Sequence, residues 1–185
     1  MTRTIAFLRA INVGGTGLIR MADLKALCED LGFTGVTTLL QSGNLVFTAK
    51  GSDSAIAKKL SAAIEKSHGF RRDIFVRTVA ELEDVIARNP FPDAARNEPS
   101  RLHAVFMAAT PDAESTKRLA ALRPQAGEKI VLSGRELFLH YPNGMGTSKM
   151  TTAVLERAAG GLPMTARNWN TVTKLLAIAA DEPSS

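Results

Sequence analysis

Three groups of residues could do chemistry. The stretch Tyr141-Pro-Asn-Gly-Met-Gly-Thr-Ser-Lys149 combines glycines, hydroxyls and a lysine. Taken as a strand exit, a glycine loop and the cap of a helix, it offers an anion backbone N–H groups, a hydroxyl and an ammonium. A helix N-terminus leaves donors unpaired and carries partial positive charge. Tyr141, Gly144, Gly146, Ser148 and Lys149 are its candidate ligand-binding residues, with Thr147 or Ser148 capping the helix. Tyr141, the sole tyrosine, stands at the loop mouth and could also donate a proton.

The second group is Arg167-Asn-Trp169. Arg167 can act as a planar anion clamp and Trp169 as a stacking surface for a base or sugar. The same residues also fit a structural role, with Asn168 or Asn170 capping a helix and Trp169 covering a sheet edge. The third group is Arg9, Asn12, Gly14 and Gly15 with Gln41, Ser42 and Asn44. They could hydrogen-bond a ligand or simply tie two loops together, and only Arg9 is charged.

Familiar nucleotide and catalytic signatures are absent. Gly15-Thr-Gly17 continues as Leu-Ile-Arg20, without the third glycine of G-x-G-x-x-G, and Gly144 to Lys149 contains no Gly-Lys-Ser/Thr. His68, His103 and His140 have no metal-ligand spacing, and one cysteine rules out a disulfide framework or a cysteine-rich metal site. Ser42 lacks the G-x-S-x-G elbow. No metal site is expected, and neither a catalytic residue nor a cofactor is assigned.

The elements that would position these residues repeat. Thr4–Ala10 is a predicted strand, and Met21, Leu24, Leu27, Cys28 and Leu31 recur at helical spacing. Val36–Gln41 and Asn44–Thr48 flank a Ser42-Gly43 hairpin turn, Asp53 caps a helix ending near His68-Gly69, Arg72–Arg77 is a strand and Val79–Arg88 a helix. Cys28, on an apolar stripe, is expected to be a core thiol. The proline-rich stretch Asn89–Ser100 interrupts the pattern as a linker. Then comes a strand at Leu102–Ala109, a helix at Asp112–Leu122, a hairpin pair at Lys129–Leu132 and Glu136–Tyr141, a helix at Lys149–Ala159, a strand at Met164–Arg167 and a closing helix at Trp169–Ala180.

Both halves thus read β-α-β-β-α-β-α, and Ser42-Gly-Asn-Leu-Val-Phe47 echoes Ser133-Gly-Arg-Glu-Leu-Phe138, 91 residues on. The expected class is α+β: two ferredoxin-like plaits in tandem, each followed by an extra helix. Residues 1–91 form the first subdomain, 92–100 the linker and 101–185 the second. That topology brings Asn12–Gly15 beside Gln41–Asn44, and Tyr141–Lys149 beside Arg167–Trp169.

Composition sets the remaining bounds. The chain has 185 residues, 45% hydrophobic, enough for one large or two small domains. No apolar run approaches the ~20 residues of a membrane span. The first apolar run stops at Arg9, too soon for a signal peptide, so a cytoplasmic protein is expected. The net charge of +5 is spread evenly between the halves, which permits an anionic ligand and disfavours nucleic acid, whose binders concentrate charge on one face.

Together, Leu8-Arg-Ala-Ile-Asn-Val-Gly-Gly15, Gln41–Phe47, Tyr141–Lys149 and Thr165-Ala-Arg-Asn-Trp-Asn-Thr-Val172 resemble the bacterial family called domain of unknown function 1697 (DUF1697). The resemblance spans nearly the whole chain. It implies a duplicated ferredoxin-like plait and no established activity, substrate or catalytic residue. One departure is Ala10, where the family pattern leads us to expect glycine. The leading functional expectation is a phosphate- or carboxylate-bearing small ligand, a nucleotide among them, held by residues 141–149 and 167–169. The alternatives are an RNA-binding module stacking bases on Phe7 and Phe47, or a protein-interaction scaffold without a ligand.

Overall fold

A computed structural model describes residues 1–12 and 17–181. Among these residues, eight strands form two antiparallel sheets. In the first, β1 (Thr2–Leu8), β2 (Thr34–Leu39), β3 (Asn44–Ala49) and β4 (Ile74–Thr78) lie in the order β2-β3-β1-β4. In the second, β5 (Leu102–Met107), β6 (Lys129–Ser133), β7 (Glu136–His140) and β8 (Met164–Asn168) lie in the order β6-β7-β5-β8. With the helices α1 (Met21–Asp30) and α2 (Asp53–His68) in the first half, and α5 (Ala113–Ala120) and α6 (Thr152–Ala158) in the second, each half is a ferredoxin-like βαββαβ plait. Helices α3 (Val79–Ala87) and α7 (Trp169–Ala180) follow the two plaits, and α4 is the short helix Pro92–Asn97.

The helices pack on one face of each sheet, as the strand alternation and the helical stripes require. In the first unit Ala6, Leu8, Leu45, Phe47 and Val76 meet Leu24 and Cys28 of α1 and Ile56, Leu60 and Ile64 of α2. Burial pushes the Cys28 thiol up to about 12, so it is a core group and not a nucleophile. In the second unit Val105, Met107, Leu137, Leu139 and Met164 meet Leu119 of α5 and Leu155 of α6. The chain divides into two compact units: Met1–Glu83 with the residues from Lys174 onward, and Asp84–Thr173.

Several expected boundaries move for physical reasons. Ser52, not Asp53, caps α2, its side chain accepting from the Ala55 N–H, and Gly69 closes the helix at φ 73°. The stretch expected as a linker holds α4 and a 3-10 turn, Pro99–Arg101, with Pro92 at the first turn where its missing N–H costs nothing. Thr78 and Glu81 form a capping box at the start of α3: the Glu81 carboxylate accepts from Thr78 N–H at 2.8 Å, and Thr78 Oγ1 from Glu81 N–H at 3.2 Å.

Candidate functional site

In the second unit, β7 pairs with one side of β5 and β8 with the other. His140 is opposite Leu102, and Asn168 opposite His103. The Tyr141–Lys149 loop and Arg167–Trp169 therefore emerge at the same end of the sheet, but with the start of β5 between them and not side by side as expected. Their side chains nevertheless part. Arg167 shares a register position with Ala104, which pairs with Phe138, so all three point to one face. Tyr141 belongs to the cluster on the opposite, helix-bearing face, with Leu139 and Met150. The sheet lies between Tyr141 and Arg167, two of the side chains expected to hold one ligand.

The loop residues are also occupied. Tyr141 is not at an open mouth but buried, its hydroxyl donating to the Met150 carbonyl at 3.0 Å. Burial, helped by the nearby Glu128 charge, pushes that phenol up to about 12. The Ser148 hydroxyl donates to Glu128, holding that carboxyl below its usual range, and accepts from Met150 N–H at 2.9 Å. Thr147 donates to the Asn143 and Gly144 carbonyls. Neither residue caps a helix there, because α6 starts three residues later than expected and its cap is Thr151. Gly144, at φ 85°, and Gly146 shape a turn and a single 3-10 turn. Lys149 is exposed.

Arg167 is buried in β8, donating to Thr165 Oγ1 at 2.8 Å and to the Ala166 carbonyl at 2.9 Å. Desolvation pushes it down to about 10. Asn168 donates to the Ser100 carbonyl and caps α7 by accepting from Asn170 N–H. Trp169 is 4% exposed, tilted against Phe138 at 6.3 Å. These are the structural roles that the residue types also allowed.

The first unit is different. Here β1 lies between β3 and β4, so its exit stands between the 40–43 hairpin and the start of β4. Asn12 Nδ2 donates to the carbonyls of Gln41 at 2.8 Å and Ile19 at 2.9 Å, placing the loop after β1 beside the hairpin as the topology requires. Val13, Gly14, Gly15 and Thr16 lie outside the described residues. Gly43 is obligatory: at φ 73°, a Cβ there would fall 2.6 Å from Ile11 and 2.8 Å from Leu8. Asn44 is buried, its amide tied to the Leu39 carbonyl and the Ser42 hydroxyl. The Gln41 and Ser42 side chains are exposed.

On the other side of β1, Arg9, Arg71 and Arg72 line one open depression of about 280 Å³ with Ala10 and Asp73. Arg9 pairs with Asp73 at 3.2 Å and is one-third exposed. Arg72 Nε donates to the Ala10 carbonyl at 3.2 Å, its guanidinium lies 4.7 Å from the centre of the Phe70 ring, and a Cβ on Gly17 would come within 2.7 Å of it. Arg71 pairs with Glu65 at 3.0 Å. Arg71 and Arg72 had no motif to announce them. The usable signal was topological: two adjacent arginines immediately before the fourth strand of a plait must lie at the exit of the first.

Backbone strain gathers here too. Among the described residues, the non-glycines at positive φ are Ala10 at 47°, Asn12 at 55° and Leu40 at 61°, all in the two loops at this end of the first sheet. Asparagine tolerates that region, whereas alanine and leucine do so at a cost. Among the described residues, no group of three or more His, Cys, Asp and Glu could hold a metal ion.

Two tandem ferredoxin-like plaits define a duplicated plait protein. The chain belongs to the DUF1697 family, described as a protein of unknown function, whose model matches residues 1–138. The conserved bacterial protein SP0830 from Streptococcus pneumoniae has the same fold: TM-score 0.73, 20% identity, 96% of this chain and 98% of that one covered. A comparison with curated proteins returned no match. No helix among the described residues is long and apolar enough to cross a membrane.

Proposed function

We propose that the protein binds a small phosphate- or carboxylate-bearing ligand, and that the site is the arginine-lined depression of the first unit. The observation that carries this is the convergence of Arg9, Arg71 and Arg72 on one open depression, where the backbone is also strained at Ala10. Guanidinium groups offer forked donors that match phosphate and carboxylate oxygens. Strained backbone persists where the surroundings over-determine it, and such places cluster at ligand sites. The 141–149 loop supports the same ligand class less well, because Tyr141 and Arg167 are buried, and on opposite faces of the sheet, whereas Arg9 and Arg71 are solvent-accessible. The RNA reading loses its carriers, since Phe7 and Phe47 are both fully buried and Phe47 stacks on Phe33 at 4.6 Å.

Calorimetric titration with inorganic phosphate, pyrophosphate and citrate tests the proposal. A hydrogen bond to a charged group contributes roughly 1.5–3 kcal/mol, so Arg71→Ala and Arg72→Ala should each weaken binding by about tenfold or more. Asp73→Asn should tighten it several-fold by removing the carboxylate that competes for Arg9. Lys149→Ala should change nothing. Anion binding that survives both arginine variants, or is lost with Lys149, would overturn this location.

A further inference from the structure

The second unit holds a separate cavity of about 310 Å³, in the segment that the sequence presents as a linker. Its walls carry opposite charges. Lys129 and His140 are register partners across β6 and β7 and so share a face. Phe91, Pro92, Asp93 and Glu98 from the α4 segment line the same cavity. The Glu98 carboxylate pairs with His140 Nε2 at 3.1 Å and with Arg101 at 3.5 Å, and the His140 ring lies tilted 6.3 Å from Phe91. A carboxylate only accepts, so Nε2 is the donor and the imidazole is fixed in orientation against the phenyl ring. Asn89 Oδ1 accepts from Phe91 N–H at 3.0 Å, and Pro90 and Pro92 restrict the backbone, so the apolar wall is pre-formed. Its volume falls in the range of small-molecule sites, which pair apolar walls with a few polar groups that fix orientation.

We propose that this cavity binds a small zwitterion of the α-amino-acid class with an apolar side chain. Its ammonium faces the Glu98 carboxylate, Asp93 being paired with Arg96, its carboxylate faces Lys129, and its side chain lies on Phe91 and Pro92. The Glu98 carboxylate comes from the α4 segment and the Lys129 ammonium from β6, and having both selects a ligand bearing both signs over a simple anion or amine. This site is independent of the arginine depression and shares no residue with it.

Titration of the full chain by ¹H–¹⁵N NMR with leucine, leucinamide and N-acetyl-leucine tests it. Leucine should shift the amides of Phe91, Glu98, Lys129 and His140, while N-acetyl-leucine, lacking the ammonium, should bind at least tenfold more weakly. Leucinamide should bind several-fold more weakly than leucine. Glu98→Gln should weaken leucine at least tenfold. Lys129→Met should bring leucine down to the leucinamide level and leave leucinamide unchanged. Glu98 and Lys129 are surface-accessible, so both variants should fold, and an unperturbed amide spectrum away from the cavity verifies it. Equal binding of the three probes, insensitivity to both variants, or no shifts at these four amides overturns the assignment.

Discussion

At the scale of single residues, the informative positions are those where the residue type and the backbone disagree. Ala10 sits at φ 47° and Leu40 at φ 61°, in a region where the Cβ of an L-residue crowds the following carbonyl. Glycine removes that penalty, at some entropic cost in the unfolded chain. Ala10→Gly and Leu40→Gly should therefore each raise stability by about 0.5–1 kcal/mol. In a chain of this size that is a rise in Tm of about 2–4 °C per kcal/mol, measured by calorimetry. The Ala10 change also restores the glycine that the family resemblance leads one to expect there. A fall in Tm for both would show that the positive φ values are not where the strain resides. Ala10→Gly should not tighten the anion, because the Ala10 contribution to Arg72 is a backbone carbonyl that glycine also supplies.

At the scale of elements, helix ends decide how much the sequence discloses. Ser52 accepts from Ala55 N–H, so Ser52→Ala should cost about 1 kcal/mol by chemical denaturation and Ser52→Gly only a few tenths, the signature of an N-cap. Equal costs for the two would point to a lost packing contact instead. Helical stripes, hairpin turns and strand order were readable because each depends on local period and turn chemistry: Leu24 and Cys28, or Ile56, Leu60 and Ile64, declare their buried face. The start of α6 was not readable, because Thr147, Ser148, Thr151 and Thr152 are all competent caps. Glu128, 20 residues away, captures the Ser148 hydroxyl and leaves Thr151 to cap. Arg71 and Arg72 were missed for a related reason. Their meeting with Arg9 is made by β1–β4 pairing, with Leu8 opposite Ile74, a partnership between residues 66 apart in the chain that no local pattern encodes.

At the scale of the whole molecule, the duplication is deeper than its loops. Arg77 and Arg167 stand on the fourth strand of their respective plaits, both are buried, and each donates to the carbonyl of the residue before it. Repeated scaffolds conserve such framework positions and let loops diverge, and all the described non-glycine residues at positive φ lie in the first copy. The repeats are not, however, the compact units. Division falls within α3 and within α7, and the residues from Lys174 onward cluster with the first unit although they follow the second plait in the chain. Leu175 is fully buried and Ala179 is 5% exposed. A buried leucine cut to alanine costs about 2–5 kcal/mol, the larger values where the site cannot collapse. Leu175→Ala should therefore lower stability by that amount, and its first effect in native-state hydrogen exchange should be lost protection of the β1 to β4 amides. The opposite pattern, β5 to β8 loosening while β1 to β4 keep their protection, would mean that the closing helix belongs with the plait it follows. The same experiment bears on the arginine depression: if Leu175 supports the first sheet, the variant should weaken anion binding through Arg9 and Arg72, while the amino-acid titration of the second-unit cavity stays unchanged.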